Sequence, residues 1–227
     1  MRKKISLSLK FIIGLFVITG MTLAIIFAER DGYSDWHRRF LYFTQQSNIW
    51  IGATCLSMAI LSLVKKENQK RDQVLYLLKF IFTVSITITG VTYCALLAPF
   101  AGDGYNAWTF CSVITHVIVP ILSVLDFFVD DFNITYGKKH IYSSLIPPAL
   151  YLVFALILGA FNVDFGLGKT YPYFFMDIKG EAGLFGFVNS SPPQLGVVYW
   201  LILFLFIVLG FAYLYSYIHG KSKRKID

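Results

Sequence analysis

The sequence predicts an all-α polytopic membrane protein: a six-transmembrane-helix bundle, residues 1–227 forming one domain, with both termini cytoplasmic. Three observations lead there. The chain is 56% hydrophobic and 18% aromatic but only 15% charged, where a soluble domain carries about a quarter charged residues. Six apolar stretches approach or exceed the roughly 20 helical residues that cross a bilayer core. Lys and Arg collect in alternate connecting segments, as they do when basic residues stay on the cytoplasmic side.

The six stretches run approximately 10–28, 41–64, 76–98, 107–129, 143–161 and 197–218. The first follows Met1-Arg-Lys-Lys, the charged start of a secretory signal. Its apolar run, Phe11 to Ala28, exceeds a signal's hydrophobic core, which favours a retained helix. The second opens on YFTQQSN, residues 42–48, and turns apolar only afterwards. The third carries Thr83, Ser85, Thr87, Thr89 and Thr92, polar stripes of the kind that pack helices together in membranes. The fourth reads WTFCSVITHVIVPILSVLDFF and holds His116, the one histidine inside a span. The fifth opens near two prolines, and the sixth is the most uniformly apolar.

Orientation follows from the basic residues. Fourteen lie in the N-terminus (Arg2, Lys3, Lys4, Lys10), the 65–75 loop (Lys65, Lys66, Lys70, Arg71), Lys138 and Lys139, and the C-terminus (Lys221, Lys223, Arg224, Lys225). Five lie in the alternate segments (Arg30, Arg38, Arg39, Lys169, Lys179), and Lys79 sits just inside the third span. Loops 29–40, 99–106 and 162–196 then face outward. The formal charge of +7 is accounted for by this bias and implies no nucleic-acid partner. Cys55, Cys94 and Cys111 all fall in apolar stretches. They show neither a disulfide framework nor a metal spacing and read as packing residues. No internal repeat is visible, which removes support for a repeat-built transporter.

The outer loop 162–196 is long, aromatic and rich in Gly and Pro, and reads as an extracellular cap or a re-entrant hairpin. Its Gly168-Lys169-Thr170 superficially matches a phosphate-binding loop. That motif needs a glycine where Val163 stands and a strand before it, so the match is rejected.

The polar residues of YFTQQSN demand partners, because an amide in hydrocarbon is costly. Thr44, Ser47 and Asn48 share one helix face at i, i+3 and i+4. By helical rise, Asn48 and His116 both lie on the order of 12–15 Å below the outer surface, with Thr44 about one turn above. Two readings follow. In the first these groups are interhelical glue, about 1 kcal/mol per hydrogen bond. In the second His116 is a general base, Thr44 a nucleophile, and Asn48, Gln45 or Gln46 a donor to a developing oxyanion. Pro120 removes a hydrogen bond to the His116 carbonyl, which either widens a cavity or is packing. Asp126 lies roughly 15 Å below His116, too far to orient it, and reads as a partner of Lys79 or as a helix-end group beside Asp130 and Asp131. Tyr93 extends the polar network of the third span.

Four stretches together, YFTQQSN, TGVTYCALLAP, THVIVPILSVLDF and YPYFFMD, resemble the androgen-induced membrane protein family, whose bacterial branch is catalogued as Pr-six-Pr membrane proteins. The likeness covers the chain from Phe40 onward, in the same order and with the same six spans. The resemblance implies an intramembrane hydrolase of lipid esters that uses a Thr and a His. His116 matches the family histidine. Thr44 is the candidate for the threonine, although an ungapped alignment of FLYF to the animal motif puts Tyr42 there, a register shift of two residues. The YPYFFMD segment (Tyr171, Pro172, Asp177) would cap the site, and Asp177 would orient His116 if the loop dips inward. With the Lys-, Ile- and Phe-rich composition, the resemblance also points to a bacterial plasma membrane, membrane lipids as solvent and substrate, and no metal or organic cofactor.

Three functions fit these residues. A lipid-ester hydrolase uses Thr44 and His116, with Gln45, Gln46, Ser47, Asn48, Tyr93, Tyr171 and Asp177 in support. A solute or lipid carrier uses the same buried polar groups to bind without chemistry. A structural component uses them only for packing. The sequence fixes neither the acyl chain nor the alcohol of an ester, nor the oligomeric state.

Overall fold

A computed structural model describes residues 1–64, 68–100, 106–130, 132, 134–166, 168–189 and 194–223. Lys65, Lys66, Asp131, Arg224 and Lys225, used in the readings above, lie outside the described residues. The helices are α1 (Arg2–Ile26), α2 (Phe43–Leu63), α3 (Gln69–Leu97), α4 (Phe110–Val129), α5 (Lys138–Ala160) and α6 (Val197–Lys223). Five of these, all but α2, are long and apolar enough to cross a membrane. The 21 residues of α2 suffice in length, and the polar first turn lowers its mean hydropathy.

α1 packs on α2 and α4, and both of those pack on α3. Small residues permit the closest approaches. A Cβ on Gly14 would overlap Leu56, and one on Gly52 would overlap Val17, so α1 and α2 meet nearly backbone to backbone. α5 and α6 pack on the other side of α3 and meet each other through the Lys138–Ser143 segment. Three apolar clusters fill the bundle. Ile13, Ile51, Ile86 and Ile114 join α1 to α4, and Phe80, Phe127, Tyr136 and Tyr215 join α3 to α6. Phe43, Tyr151, Phe165, Phe175 and Trp200 gather at the end where α2 begins.

α1 begins at Arg2, about two turns before the predicted span. The reason is ionic. Ser6 and Lys10 face inward and are 1% and 5% exposed. The Lys10 ammonium lies 3.2 Å from Asp126 and 2.6 Å from Asp130, and Ser6 donates to Asp126 at 2.6 Å. Lys79 of α3 completes the cluster at 2.6 Å from each aspartate. Asp126 is therefore the partner of Lys79, and Lys10 belongs to the bundle interior rather than to a solvated flank.

Two helices carry a π-turn at the same level. In α3 it spans Tyr93–Leu97 and in α4 Ile114–Ile118. Pro120 has no N–H to give the His116 carbonyl, so the α4 ladder widens there and the Val119 N–H bonds to Ile114 instead. Gly90 of α3 lies against this turn: a Cβ on it would stand 2.9 Å from the His116 carbonyl oxygen.

The described residues of the 162–196 segment pack over the end of the bundle where α2 begins. They hold a 3-10 turn at Phe174–Met176 and a short antiparallel hairpin of β1 (Phe187–Val188) and β2 (Gln194–Leu195). Arg38 ties the 29–40 loop to it, donating to the Asp164 carbonyl with its guanidinium 3.3 Å from the Asp164 carboxylate. Phe165, Phe175 and Met176 press inward onto α5 and α6.

Candidate active site

The α2 helix starts at Phe43, so Thr44 stands in its first turn, at one end of the bundle. Its Oγ1 lies 3.2 Å from His116 Nε2. The other imidazole nitrogen, Nδ1, lies 3.0 Å from the Ser112 carbonyl. A carbonyl only accepts, so Nδ1 carries the proton and Nε2 presents its lone pair to the threonine hydroxyl. The π-turn makes this possible by rotating His116 off the regular helix face while its i−4 carbonyl remains in reach. Thr115 Oγ1 lies 3.2 Å from Nδ1 as well. The imidazole also stacks on Tyr93, with ring centroids 3.7 Å apart and planes 15° from parallel. The Tyr93 hydroxyl donates to the Ala107 carbonyl, which anchors that ring from behind.

The remaining polar residues of YFTQQSN brace this pair. Asn48 Nδ2 donates to the Thr44 carbonyl at 2.8 Å and to the Thr115 carbonyl at 3.0 Å, pinning α2 to α4 beside the histidine. Both its amide hydrogens are thereby engaged and turned away from the Thr44 hydroxyl. Ser47 donates to the Thr44 carbonyl at 3.1 Å and meets Thr89 of α3 at 2.8 Å. Gln46 Nε2 donates to the Phe40 carbonyl at 3.2 Å. Gln45 is buried in the same turn.

Tyr42 is the residue before α2, and its ring packs edge-on to Tyr33, Phe165 and Tyr173. The geometry thus brings Thr44, and not Tyr42, to the imidazole. Asp177 does not orient His116, because the Ser112 carbonyl holds that position. Asp177 instead accepts from the Lys179 N–H at 3.0 Å and, with Tyr171, lines a separate open cleft against the C-terminal end of α5. Burial, and then the Asp177 charge, push the Tyr171 phenol above its ordinary pKa.

On the side of Thr44 that faces α5 and α6 lies a cavity of about 680 Å³. Thr44, Thr89, Tyr151 and Tyr173 are among the residues that line it, and the lining surface is almost wholly apolar. It is open to its surroundings rather than sealed. The sequence reading missed Tyr173, although it lies in the quoted YPYFFMD. It also missed Ser112, whose signal is its place four residues before His116, and Gly90.

Fold and site together define a bundle of helices, five of them long and apolar enough to cross a membrane, that sets a hydroxyl–imidazole pair beside an apolar cavity. No protein-family model matches the chain, and no curated protein or solved structure matches it. Among the described residues, no group of three or more His, Cys, Asp or Glu could hold a metal ion.

Proposed function

We propose that this protein is an integral-membrane hydrolase of lipid (fatty-acyl) esters, with Thr44 as nucleophile and His116 as general base. The observation that carries this reading is the Thr44 Oγ1–His116 Nε2 contact of 3.2 Å, with Nδ1 fixed on the Ser112 carbonyl. Pure packing needs a hydrogen bond there, but it does not need the tautomer set, the ring clamped by Tyr93 and the threonine placed against an apolar cavity. The resemblance to the androgen-induced membrane protein family supports the same pair.

In the proposed reaction the Thr44 hydroxyl adds to the ester carbonyl as its proton passes to His116 Nε2. The carbonyl π pair moves onto oxygen. Collapse of the adduct breaks the ester C–O bond, and the imidazolium returns its proton to the departing alkoxide. Water, deprotonated by the same nitrogen, then adds to the acyl carbon; the bond from that carbon to Thr44 Oγ1 breaks, and the imidazolium returns its proton to Oγ1. The apolar cavity houses the hydrocarbon chain, and membrane lipid supplies the substrate laterally. The reading includes six spans with both termini cytoplasmic, a plasma-membrane location and no organic cofactor.

The test is hydrolysis of a panel of fatty-acyl esters by detergent-purified protein beside Thr44→Ala and His116→Ala. Covalent capture by an activated alkyl phosphonate is followed by peptide mapping. Turnover lost in both variants, with label on Thr44, is expected. Full activity in His116→Ala would overturn the mechanism.

A further inference from the structure

The proposed reaction places negative charge on the carbonyl oxygen, and two of the three amides first considered are engaged elsewhere. Asn48 is occupied by two carbonyls and Gln46 by a third. The groups that border the cavity where Thr44 opens into it are different: Tyr173, carried there by the cap, and the first turn of α2.

We propose that Tyr173 is a catalytic residue whose phenol donates to the oxyanion formed when Thr44 attacks an ester carbonyl; this rests on the hydrolase reading above. Three features of the geometry place it. Tyr173 and Thr44 line the same cavity. The phenol is within polar reach of the Thr44 hydroxyl, of the Phe43 and Thr44 backbone and of the Tyr151 hydroxyl. Its ring is held on three sides, with centroids 5.0 Å from Phe175, 5.7 Å from Tyr42 and 6.3 Å from Tyr151.

His116 and Tyr173 therefore divide the work around Thr44. His116 carries the protons at Nε2, 3.2 Å from the Thr44 hydroxyl, while Tyr173 lines the cavity that would hold the substrate. Donors fixed in advance of the reaction need no reorganisation as charge develops, and in a dry site they act more strongly than in water. The Phe43 and Thr44 N–H groups, which have no acceptor within α2, lie within polar reach of the same phenol. An oxyanion there meets a phenolic O–H together with the positive end of a helix.

A structural role, in which Tyr173 merely covers the α2 N-terminus, makes different predictions. The experiment compares wild type with Tyr173→Phe in the ester assay, recording kcat, KM, the rate of phosphonate labelling at Thr44 and the unfolding temperature. The proposal expects kcat to fall on the order of 10²–10³-fold, the usual effect of removing one oxyanion donor. KM and unfolding temperature should stay near wild type, and labelling should slow in parallel. A kcat within threefold of wild type would overturn it. So would a lowered unfolding temperature with wild-type kcat per folded molecule.

Should the Phe variant fold poorly, site-specific 3,5-difluorotyrosine at position 173 keeps shape and hydroxyl but ionises at lower pH. A donor role then adds a basic limb to kcat that wild type lacks, and no such limb appears for a covering role. Failure of the underlying reading looks different: folded wild type neither turns over ester nor takes label on Thr44, whereas failure of the Tyr173 role alone leaves wild type active and labelled.

Discussion

Lys79 and Asp126 form an ion pair 2.6 Å long in which both side chains are fully buried. It does not stand alone, since Lys10 and Asp130 join it and the four formal charges cancel. Removing one partner strands a charge in a low-dielectric interior, which costs about 3–5 kcal/mol, whereas replacing a pair by apolar residues of similar volume is often neutral. Asp126→Ala is therefore expected to destabilise the bundle severely. Lys79→Met with Asp126→Leu is expected to recover much of the loss. Unfolding in mixed detergent, followed by tryptophan fluorescence, measures both. A single variant as stable as wild type would show the cluster to be dispensable.

The nucleophile assignment predicts a graded series. Thr44→Ala removes the hydroxyl and is expected to lower kcat by at least about 10³-fold, as losing an activated nucleophile does. Thr44→Ser keeps the oxygen beside His116 Nε2 and should retain activity to within an order of magnitude. Tyr42→Phe should be near wild type, since the Tyr42 ring packs among Tyr33, Phe165 and Tyr173 and the hydroxyl at His116 is that of Thr44. Ester turnover by the three purified variants decides the register that the sequence left open.

The Tyr93 ring predicts a split between stacking and hydrogen bonding. Tyr93→Phe preserves the 3.7 Å stack on His116 and loses only the anchor to the Ala107 carbonyl, so a fall of no more than about tenfold is expected. Tyr93→Ala frees the imidazole to leave Thr44 and is expected to cost about 10²-fold in kcat, as misplacement near the reacting atoms does. Equal kinetics in the two variants would remove the positioning role.

Much of this site was readable from residue types because it depends on helical periodicity. Thr44 and His116 came out one turn apart in depth because rise per residue is fixed, and the structure joins them at 3.2 Å. Helix positions fell within a few residues for α2, α4 and α6 for the same reason. What escaped reading is what tertiary packing decides. Tyr173 lies in a cap without periodicity, so its approach to Thr44 has no local signature. The partner of His116 Nδ1 is a backbone carbonyl freed by a π-turn, which residue types do not announce. Lys10 looked like a cytoplasmic flank because its burial depends on Asp126 and Asp130, which lie more than 100 positions away along the chain.

Gly90 links packing to catalysis. A Cβ there would stand 2.9 Å from the His116 carbonyl and 3.1 Å from Pro120 Cβ, so α3 and α4 must part or the π-turn must shift. Overpacking of this kind costs about 1–3 kcal/mol. Gly90→Ala is expected to lower the unfolding temperature by several degrees and kcat more than KM, because the displaced atom belongs to the residue that carries the base. Wild-type kinetics with a lowered unfolding temperature would show that the turn absorbs the methyl without moving the imidazole.

The proposed six-span topology predicts which loops an impermeant reagent reaches. In a background with Cys55, Cys94 and Cys111 replaced by alanine, single cysteines at Ser34 and Asn68 sit on opposite sides of α2, whose ends are Phe43 and Leu63. Ser34→Cys should react with a charged maleimide in right-side-out vesicles, and Asn68→Cys only after the membrane is opened. A cysteine at Ser34 that stays protected while one at Asn68 reacts would invert the orientation, and it would carry Thr44, in the first turn of α2, to the cytoplasmic side with it. Equal labelling of both in sealed vesicles would mean that α2 enters and leaves on one face, so that five helices cross rather than six. The 21-residue length of α2, its packing between α1 and α3 and the excess of basic residues beyond its C-terminal end all favour the first outcome.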